Sequence, residues 1–586
     1  MTDRPSDAER HEERDRLRTA APDAGGGFDV RPAHLYYTST VVRDGQFDYD
    51  KGATELVSAL NEYSQSAGTG WGPDSFAKVY MRIAEKFVKV WAASVVSVGG
   101  VAVGLTVTAN NYQQADWSSR GMYGPPPRRT PPVVIDKEPD YGKINDITWS
   151  GTGEDADSWA ISGALGEIPD FLAGVVRPAI EYGLNLGKTT EITPGARDDD
   201  LKGMATAWRE AASTALKAGD TFTSGIGYIT DPHGNNEWQS AMKSFCQSIW
   251  GTTAWGRSRD AQGQIAPPHQ GGRSWKTSGN VAPAQRRPIL EVLHHTADTM
   301  RKTCEELVQV VRTCRETTTH LAKQAAKGMV EDLTTGLDAV ELFELAGSAM
   351  FGKLVMAFRQ HMDREAADRA VDVYQQKFSD AASTLLALEW ELDEALRSAP
   401  TFLAEEARAE AFGGRSLNEF KKEHKLLNGE NPFPYKYTID LAMAEDLGGG
   451  HTIDKHVGKT DAQLLQRMRD QANSSGTPTI PAASSFADLA SAQKYTQFCI
   501  RQNSGAIDSW LKTGPPPQPP SQVFEVGTVN PAGNNPPAIS PVTGRTSVRD
   551  SNGQPSPVVD AYGVQTRLKY DASLVPPFVV VTSMPK

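Results

Sequence analysis

From Pro288 to about Ala411 apolar residues recur at mixed three- and four-residue steps: Leu290, Val292, Leu293, Ala297, Met300, Leu307, Val308, Val311 and Leu321, then Leu333, Leu337, Val340, Leu342 and Leu345, then Leu385, Leu386, Leu388, Leu392 and Leu396. A stripe of that period is the buried face of a long helix, and the charged residues between fall on solvated faces. The span 286–440 is therefore expected to be a long-helix region that acts as core and scaffold. His294, His295, His320 and His361 lie in it, and none forms the i,i+4 pair of a metal-binding helix. No metal and no cofactor are expected.

At roughly 100–200 residues per domain, 586 residues suggest about three or four domains. The 72 acidic and 60 basic side chains give a net charge of −12, which disfavours a nucleic-acid coat, since that needs a basic surface to displace counterions. Four cysteines, Cys246, Cys304, Cys314 and Cys499, are too few for a disulfide scaffold. On one helix Cys304 and Cys314 would stand about 15 Å apart, too far to bridge.

Residues 1–25 are charged, end in Ala24-Gly25-Gly26-Gly27 and contain no apolar h-region, so no Sec signal peptide is expected and 1–45 reads as disordered or irregular. The apolar run Ala92–Ala109 approaches a membrane span in length, but Ser94, Ser97, Gly99, Gly100, Gly104, Thr106 and Thr108 interrupt it. A spanning helix wants about 20 predominantly apolar residues, so a buried helix of a helical hairpin is expected and no stable membrane span. The hairpin is placed at 46–118. Its first helix carries Leu56, Ala59, Leu60 and Tyr63, its turn is Gly68-Thr69-Gly70-Trp71-Gly72-Pro73, and its second helix runs from about Asp74 to Asn111. Trp71 is expected to plug the end of the two-helix stack, with the flanking glycines permitting the reversal.

This order of features resembles the WXG family of type VII (ESX) secretion substrates, which have two antiparallel helices, a Trp-x-Gly corner and a Tyr-x-x-x-Asp/Glu export signal after the second helix. Tyr112 and Asp116 match the signal, four residues apart. Trp71 and Gly72 stand at the corner, where Trp71-Gly72-Pro73 departs from Trp-x-Gly. The resemblance implies secretion by the type VII machinery, with a WXG-type helical partner or chaperone.

Residues 119–150, with Pro125-Pro126-Pro127 and Pro131-Pro132, read as a Pro-rich extended linker. The span 151–285 reads as helical scaffold with Gly/Pro-rich connectors and holds Trp238, Trp250 and Trp255. Gly183-Leu184-Asn185-Leu186-Gly187-Lys188-Thr189 imitates a P-loop but is one residue short between its glycines and follows a helical stretch, so no nucleotide site is expected.

Composition changes after about Gly448. Residues 451–586 hold 12 basic and 9 acidic side chains, a charge of +3, which leaves −15 on the other 450 residues. Such asymmetry suggests a module with an anionic partner of its own. Thr460-Asp461-Ala462-Gln463 is a capping box opening a short helix that carries Leu464, Leu465, Arg467 and Met468. A second helix is expected from about Ser485 to Trp510. Strand patterns follow at Val523–Val529, Gly563–Tyr570 and Val575–Thr582, with a polar Pro/Gly-rich stretch at about 513–560, together an α+β module. His456 titrates near neutrality and Arg467 offers a fork of donors to phosphate oxygens, the two groups needed when an RNA 2′-OH attacks its own phosphate.

The stretch Gly450-His451, His456-Val457-Gly458-Lys459, Leu464, Arg467, Ala483-Ser484-Ser485-Phe486, Trp510-Leu511 and Val580-Val581-Thr582-Ser583-Met584-Pro585 resembles the RNase A-like toxin domain of bacterial contact-dependent inhibition proteins and other polymorphic toxins. The resemblance places this domain at 445–586. It implies a catalytic set of His456, Arg467 and Thr582, a metal-independent ribonuclease reaction on an RNA substrate, and a cognate immunity protein. In the family a tyrosine stands where this chain has Met584, whose thioether can neither donate nor transfer a proton. His451, Lys569, Tyr570 and Lys586 are the candidates to replace it, His451 first by its titration range.

The expected architecture is multi-domain, mainly α in the N-terminal and central regions, with a C-terminal α+β RNase A-like domain. The expected function is a secreted antibacterial toxin acting in the target-cell cytoplasm. The alternative is a non-enzymatic type VII-secreted helical scaffold whose C-terminal domain is catalytically degenerate.

Overall fold

The computed structural model describes residues 5–18, 31–119, 128–149, 159–229 save 169 and 186, 289–335, 348–402 save 400, 436–439, 441, 444, 450–471, 477–527, and 542–586 save 573 and 575. Trp238, Cys246, Trp250, Trp255, Leu337, Val340, Leu342 and Leu345 lie outside these residues.

Helices dominate the chain up to Ser398: α1 Asp7–Leu17, α2 Pro32–Leu60, α3 Trp71–Ser119, α4 Trp159–Leu165, α5 Asp170–Leu184, α6 Asp198–Ile229, α7 Ile289–Thr334, α8 Ser348–His361, α9 Arg364–Leu386 and α10 Glu389–Ser398. The long-helix reading of 286–440 fits α7 closely. Leu290, Leu293, Ala297, Met300, Cys304, Leu307, Val311 and Cys314 alternate three- and four-residue steps, and all are buried. Cys304 and Cys314 belong to this stripe, and desolvation pushes both thiols up to about 12, so they pack as small apolar groups. One core draws on α2, α3, α6, α7, α9 and α10, so the spans 46–118, 151–285 and 286–440 bury their apolar faces together. The far end of α7 (Ala322, Ala325, Ala326, Met329) packs with α4, α5 and α8 in a second cluster.

The expectation of an irregular 1–45 needs correction, because α1 occupies 7–17 and α2 already starts at Pro32. Ser6 and Glu9 form a capping box at α1. Arg10 and Arg43, each almost wholly buried, share the Asp44 carboxylate across the α1–α2 contact. Charge density reads as solvation in a sequence; most of α1 is indeed exposed, but Arg10 is covered where it meets Asp44.

The hairpin is formed by α2 and α3. The run Ala92–Ala109 lies within Trp71–Gln113, a stretch long and apolar enough to cross a membrane by length and composition, and its apolar window is 94% buried inside the protein. Its hydroxyls are satisfied internally: Ser94 donates to Trp91 O, Ser97 to Ala93 O, and Thr106 to Ser39 Oγ on α2. Trp71 does not plug the stack. It is the first residue of α3 and 54% exposed, because the next turns pack against α9 through Gly72 and Phe76. Gly72 sits so close to α9 that a Cβ there would lie 2.1 Å from Gln375 O, and its N–H donates to Gln375 Oε1. Tyr112 is buried within α3 rather than following it, and Asp116 also lies inside the helix.

Residues 128–149 form no helix or strand, but they do not hang free. Gln46 donates to Ile135 O, Tyr141 donates to Asp50, and Ile135, Ile144 and Ile147 enter the main core. The P-loop imitation ends α5, and its Lys188 ammonium lies on the Asp372 carboxylate.

The C-terminal module is α+β. Its elements are α11 Thr452–His456, α12 Asp461–Asp470, β1 Ala482–Ser485, α13 Leu489–Gln502, α14 Ser504–Leu511, β2 Ser521–Val526, β3 Gly544–Val548, β4 Val559–Ala561, β5 Val564–Tyr570 and β6 Phe578–Pro585. Among the described residues the strands make two antiparallel sheets, ordered β1-β3-β4 and β2-β5-β6. The expected helix Ser485–Trp510 breaks at Asn503, and Ser485 belongs to β1. The expected strand Val523–Val529 overlaps β2, whereas β3 and β4, in and at the end of the polar stretch 513–560, are too short and too polar for alternation to reveal them. The module has its own core of Val457, Phe486, Phe498, Cys499, Trp510, Phe524, Leu568, Phe578 and neighbours. It touches the helical body where Gln463 donates to Ala399 O and Thr401 donates to Gly458 O.

Candidate active site

The Thr460–Gln463 capping box is present as expected and starts α12, which carries Arg467 on its second turn. Between α11 and α12 the backbone of Val457 bridges Phe486 in parallel, with Phe486 N–H donating to His456 O and Gly458 N–H to Phe486 O. This clamp holds His456 at the end of α11, 2% exposed, where its Nδ1 lies 2.8 Å from Ser484 O. A carbonyl only accepts, so Nδ1 carries the proton and the neutral ring keeps its lone pair on Nε2. Arg467, 8% exposed, donates through Nη1 to Lys455 O at 3.2 Å. Its guanidinium is thereby folded back over α11.

Strand β6 brings the third residue. His451 N–H donates to Val581 O at 3.0 Å, and Ser583 N–H donates to Thr452 Oγ1 at 2.8 Å, so α11 is fastened on both sides of Thr582. Gly450 allows this approach, since a Cβ there would lie 2.8 Å from Val580 O. Behind the strand, Ser583 Oγ accepts from Thr496 Oγ1 at 2.8 Å and lies 3.0 Å from Thr566 Oγ1, a fully buried hydroxyl cluster. The Thr582 Oγ1 atom is buried and makes no hydrogen bond among the described residues. His451 and His456 stand with ring centroids 6.3 Å apart, tilted 35°.

Both imidazoles are held below the ordinary histidine range. Burial is the main cause for His456, followed by Arg467, against a smaller opposing contribution from the Ser484 carbonyl. His451 is pushed down to about 4 by burial, then by Lys455, Arg467 and Arg567. Both rings are therefore neutral at neutral pH, in a surrounding of cations that favours an anion.

The structure thus brings His451, His456, Arg467 and Thr582 together. It separates Tyr570, which packs against the module core at the far end of β5, and Lys569, whose partners in the sheet are Ser521 and Val579. Lys586 is engaged by Glu525. Met584 follows Thr582 by two residues on β6, opposite Gln565. Lys455 and Arg567 act on the site and were missed by sequence reasoning. Arg567 stands opposite Thr582 in the β5–β6 register, beside the irregularity at Arg567/Leu568. Its only signal in the sequence is its polar position between Thr566 and Leu568. A cavity of 1150 Å³ lies elsewhere, between the helical body and the module, lined by Lys86, Asp136, Asp393, Lys459, Gln463 and Arg545 among others and by none of the four clustered residues. Among the described residues no three His, Cys, Asp or Glu side chains converge as a metal site would require.

Residues 450–585 match the family described as bacterial CdiA-CT RNAse A domain. A solved structure, the crystal structure of a CdiA-CT/CdiI complex from Y. kristensenii 33638, is 27% identical and covers 23% of this chain and 99% of its own, with a TM-score of 0.18. No curated protein matches the chain. At the level of the matched family, the C-terminal module is an RNase A-like toxin domain.

Proposed function

We propose that the module cleaves RNA by attack of a ribose 2′-OH on the adjacent phosphate, and that the chain is an antibacterial toxin. The observation that carries this is the pairing of a neutral His456, its Nδ1–H held by Ser484 O, with the Arg467 guanidinium and an uncommitted Thr582 hydroxyl. In the reaction His456 Nε2 removes the 2′ proton, the O2′–P bond forms and the P–O5′ bond breaks. The departing 5′ oxygen takes back the proton that His456 has just accepted, leaving a 2′,3′-cyclic phosphate and a 5′-OH. Arg467 holds the phosphate oxygens, and Thr582 Oγ1 donates to them as charge builds. The 2′-OH is the nucleophile, so the step as written needs no metal.

His451 supplies the second imidazole in place of the family's tyrosine at Met584. The depressed basicity of His456 keeps it the free base that the first step needs. A phosphate dianion or diester beside Arg467 offsets the cations and raises both rings toward the working pH. An acidic immunity protein covering this cationic site would protect the producing cell.

Delivery by the type VII route is the second part of the reading. The α2–α3 hairpin and the Tyr112/Asp116 spacing support it, while the exposed position of Trp71 leaves that ring available to a helical partner.

Expression of the chain in a susceptible bacterium should arrest growth with degraded RNA, and His456→Ala should abolish both. Purified protein should produce 2′,3′-cyclic phosphate ends. A folded wild-type protein that leaves RNA intact under conditions of tight RNA binding refutes the nuclease reading and favours the degenerate scaffold. For export, equal secretion of Tyr112→Ala and wild type from the native host would remove the type VII assignment.

A further inference from the structure

We propose that Arg567 and Lys569, on the outer face of β5, form a phosphate track that holds the RNA backbone beyond the scissile phosphate, an inference resting on the ribonuclease reading above. Most basic side chains of the module are already engaged. Arg545 is on Asp461 and Asp560, Lys586 is on Glu525, Arg549 donates to Pro478 O, and Arg501 and Lys494 lie over the rings of Phe498 and Tyr495. The Arg567 and Lys569 side chains are exposed and make no hydrogen bond, ion pair or ring contact with a described residue.

Exposed cations are common on any surface, and their position is what distinguishes these two. Arg567 is the cross-strand partner of Thr582, and paired residues of antiparallel strands project to the same side of the sheet. It is also close enough to His451 to act on its titration. Lys569 follows on the same face, about 7 Å further along the strand. Arg467 on α12, Thr582 on β6, then Arg567 and Lys569 on β5 therefore lead from the reacting phosphate across β6 and outward along β5. On that face of β2 the direct partners Ser521 and Val523 carry no charge, and Glu525, next along it, is already held by Lys586 and Gln565. Two point contacts to phosphates position a strand without reading bases, so the track adds affinity for longer RNA of any sequence.

The test uses the full-length protein and a 2′-O-methyl oligoribonucleotide, which has no free 2′-OH and cannot be cleaved. Arg567→Ala and Lys569→Ala should each weaken binding by roughly threefold or more at low salt and make the plot of log affinity against log salt shallower by about 0.7, one single-strand phosphate contact. Arg567→Lys should retain the slope, and Arg501→Ala, which removes the same net charge elsewhere, should bind as wild type does. If Arg567→Ala and Lys569→Ala match Arg501→Ala while wild type still binds and cleaves RNA, the track is refuted and the nuclease reading survives. If wild type neither binds nor cleaves, both fall.

Discussion

Ser583 offers a sharp test of how β6 holds the site. Its hydroxyl is fully buried and meets two others, accepting from Thr496 Oγ1 on α13 and lying 3.0 Å from Thr566 Oγ1 on β5. Ser583→Ala removes the shared atom and leaves both threonines inside. Two lost hydrogen bonds at about 1 kcal/mol each give a loss of about 2 kcal/mol, rising to about 4 kcal/mol if neither hydroxyl finds another partner. Thr496 has an escape, since a helical threonine can turn back to the carbonyl four residues earlier, so the lower end is expected. The backbone N–H of residue 583 keeps its bond to Thr452 Oγ1, so α11 stays attached and the effect is confined to the hydroxyl cluster. The right assay is local, because several cooperative units in one chain blur a global transition. Amide hydrogen exchange across β5 and β6 of the full-length protein should accelerate about 30-fold for a loss of about 2 kcal/mol. Thr566→Val combined with Ser583→Ala should cost less than the sum of the two, since each removes the other's unsatisfied partner. Acceleration below about threefold, under about 0.7 kcal/mol, would show that the cluster does not hold the strand.

Three further outcomes follow from the same geometry. His451 and His456 bind protons more weakly folded than unfolded, so the unfolded chain takes up protons first as pH falls. The stability they contribute is fully present above 6.5 and lost as pH falls below it, toward about 4 for His451, and urea denaturation followed at the module should lose much of this slope in His451→Gln/His456→Gln. Gly72→Ala forces a methyl toward Gln375 O and should destabilise the α3–α9 contact by about 1–3 kcal/mol, whereas exposed Trp71→Ala should change thermal stability by less than about 0.5 kcal/mol. Tyr112→Ala empties a buried site on α3 and should cost about 3–5 kcal/mol in thermal unfolding, so a secretion assay with it needs Tyr112→Phe alongside to separate folding from export.

Local patterns decided the elements of this protein. The three-four stripe from Leu290 to Cys314 is the buried face of α7, the Thr460/Gln463 box starts α12, and the serines and glycines of Ala92–Ala109 mark a helix that is covered by protein here. These are readable because helix periodicity and capping act between residues a few positions apart. His456 and Arg467 were singled out by the family resemblance rather than by local pattern, and the charge break near residue 450 coincides with the start of the matched family at 450. Only the tertiary structure decided the rest. Whether a charged side chain such as Arg10 is solvated or buried depends on a carboxylate, Asp44, that lies far along the chain. The exposure of Trp71 depends on α9, some 300 residues away, coming up against Gly72. Arg567 joins the site through strand register with Thr582, and the neutrality of both histidines comes from burial and from cations drawn together by α11, α12 and β5. Register, burial and electrostatic field are properties of pairs distant in sequence, and no local window contains them.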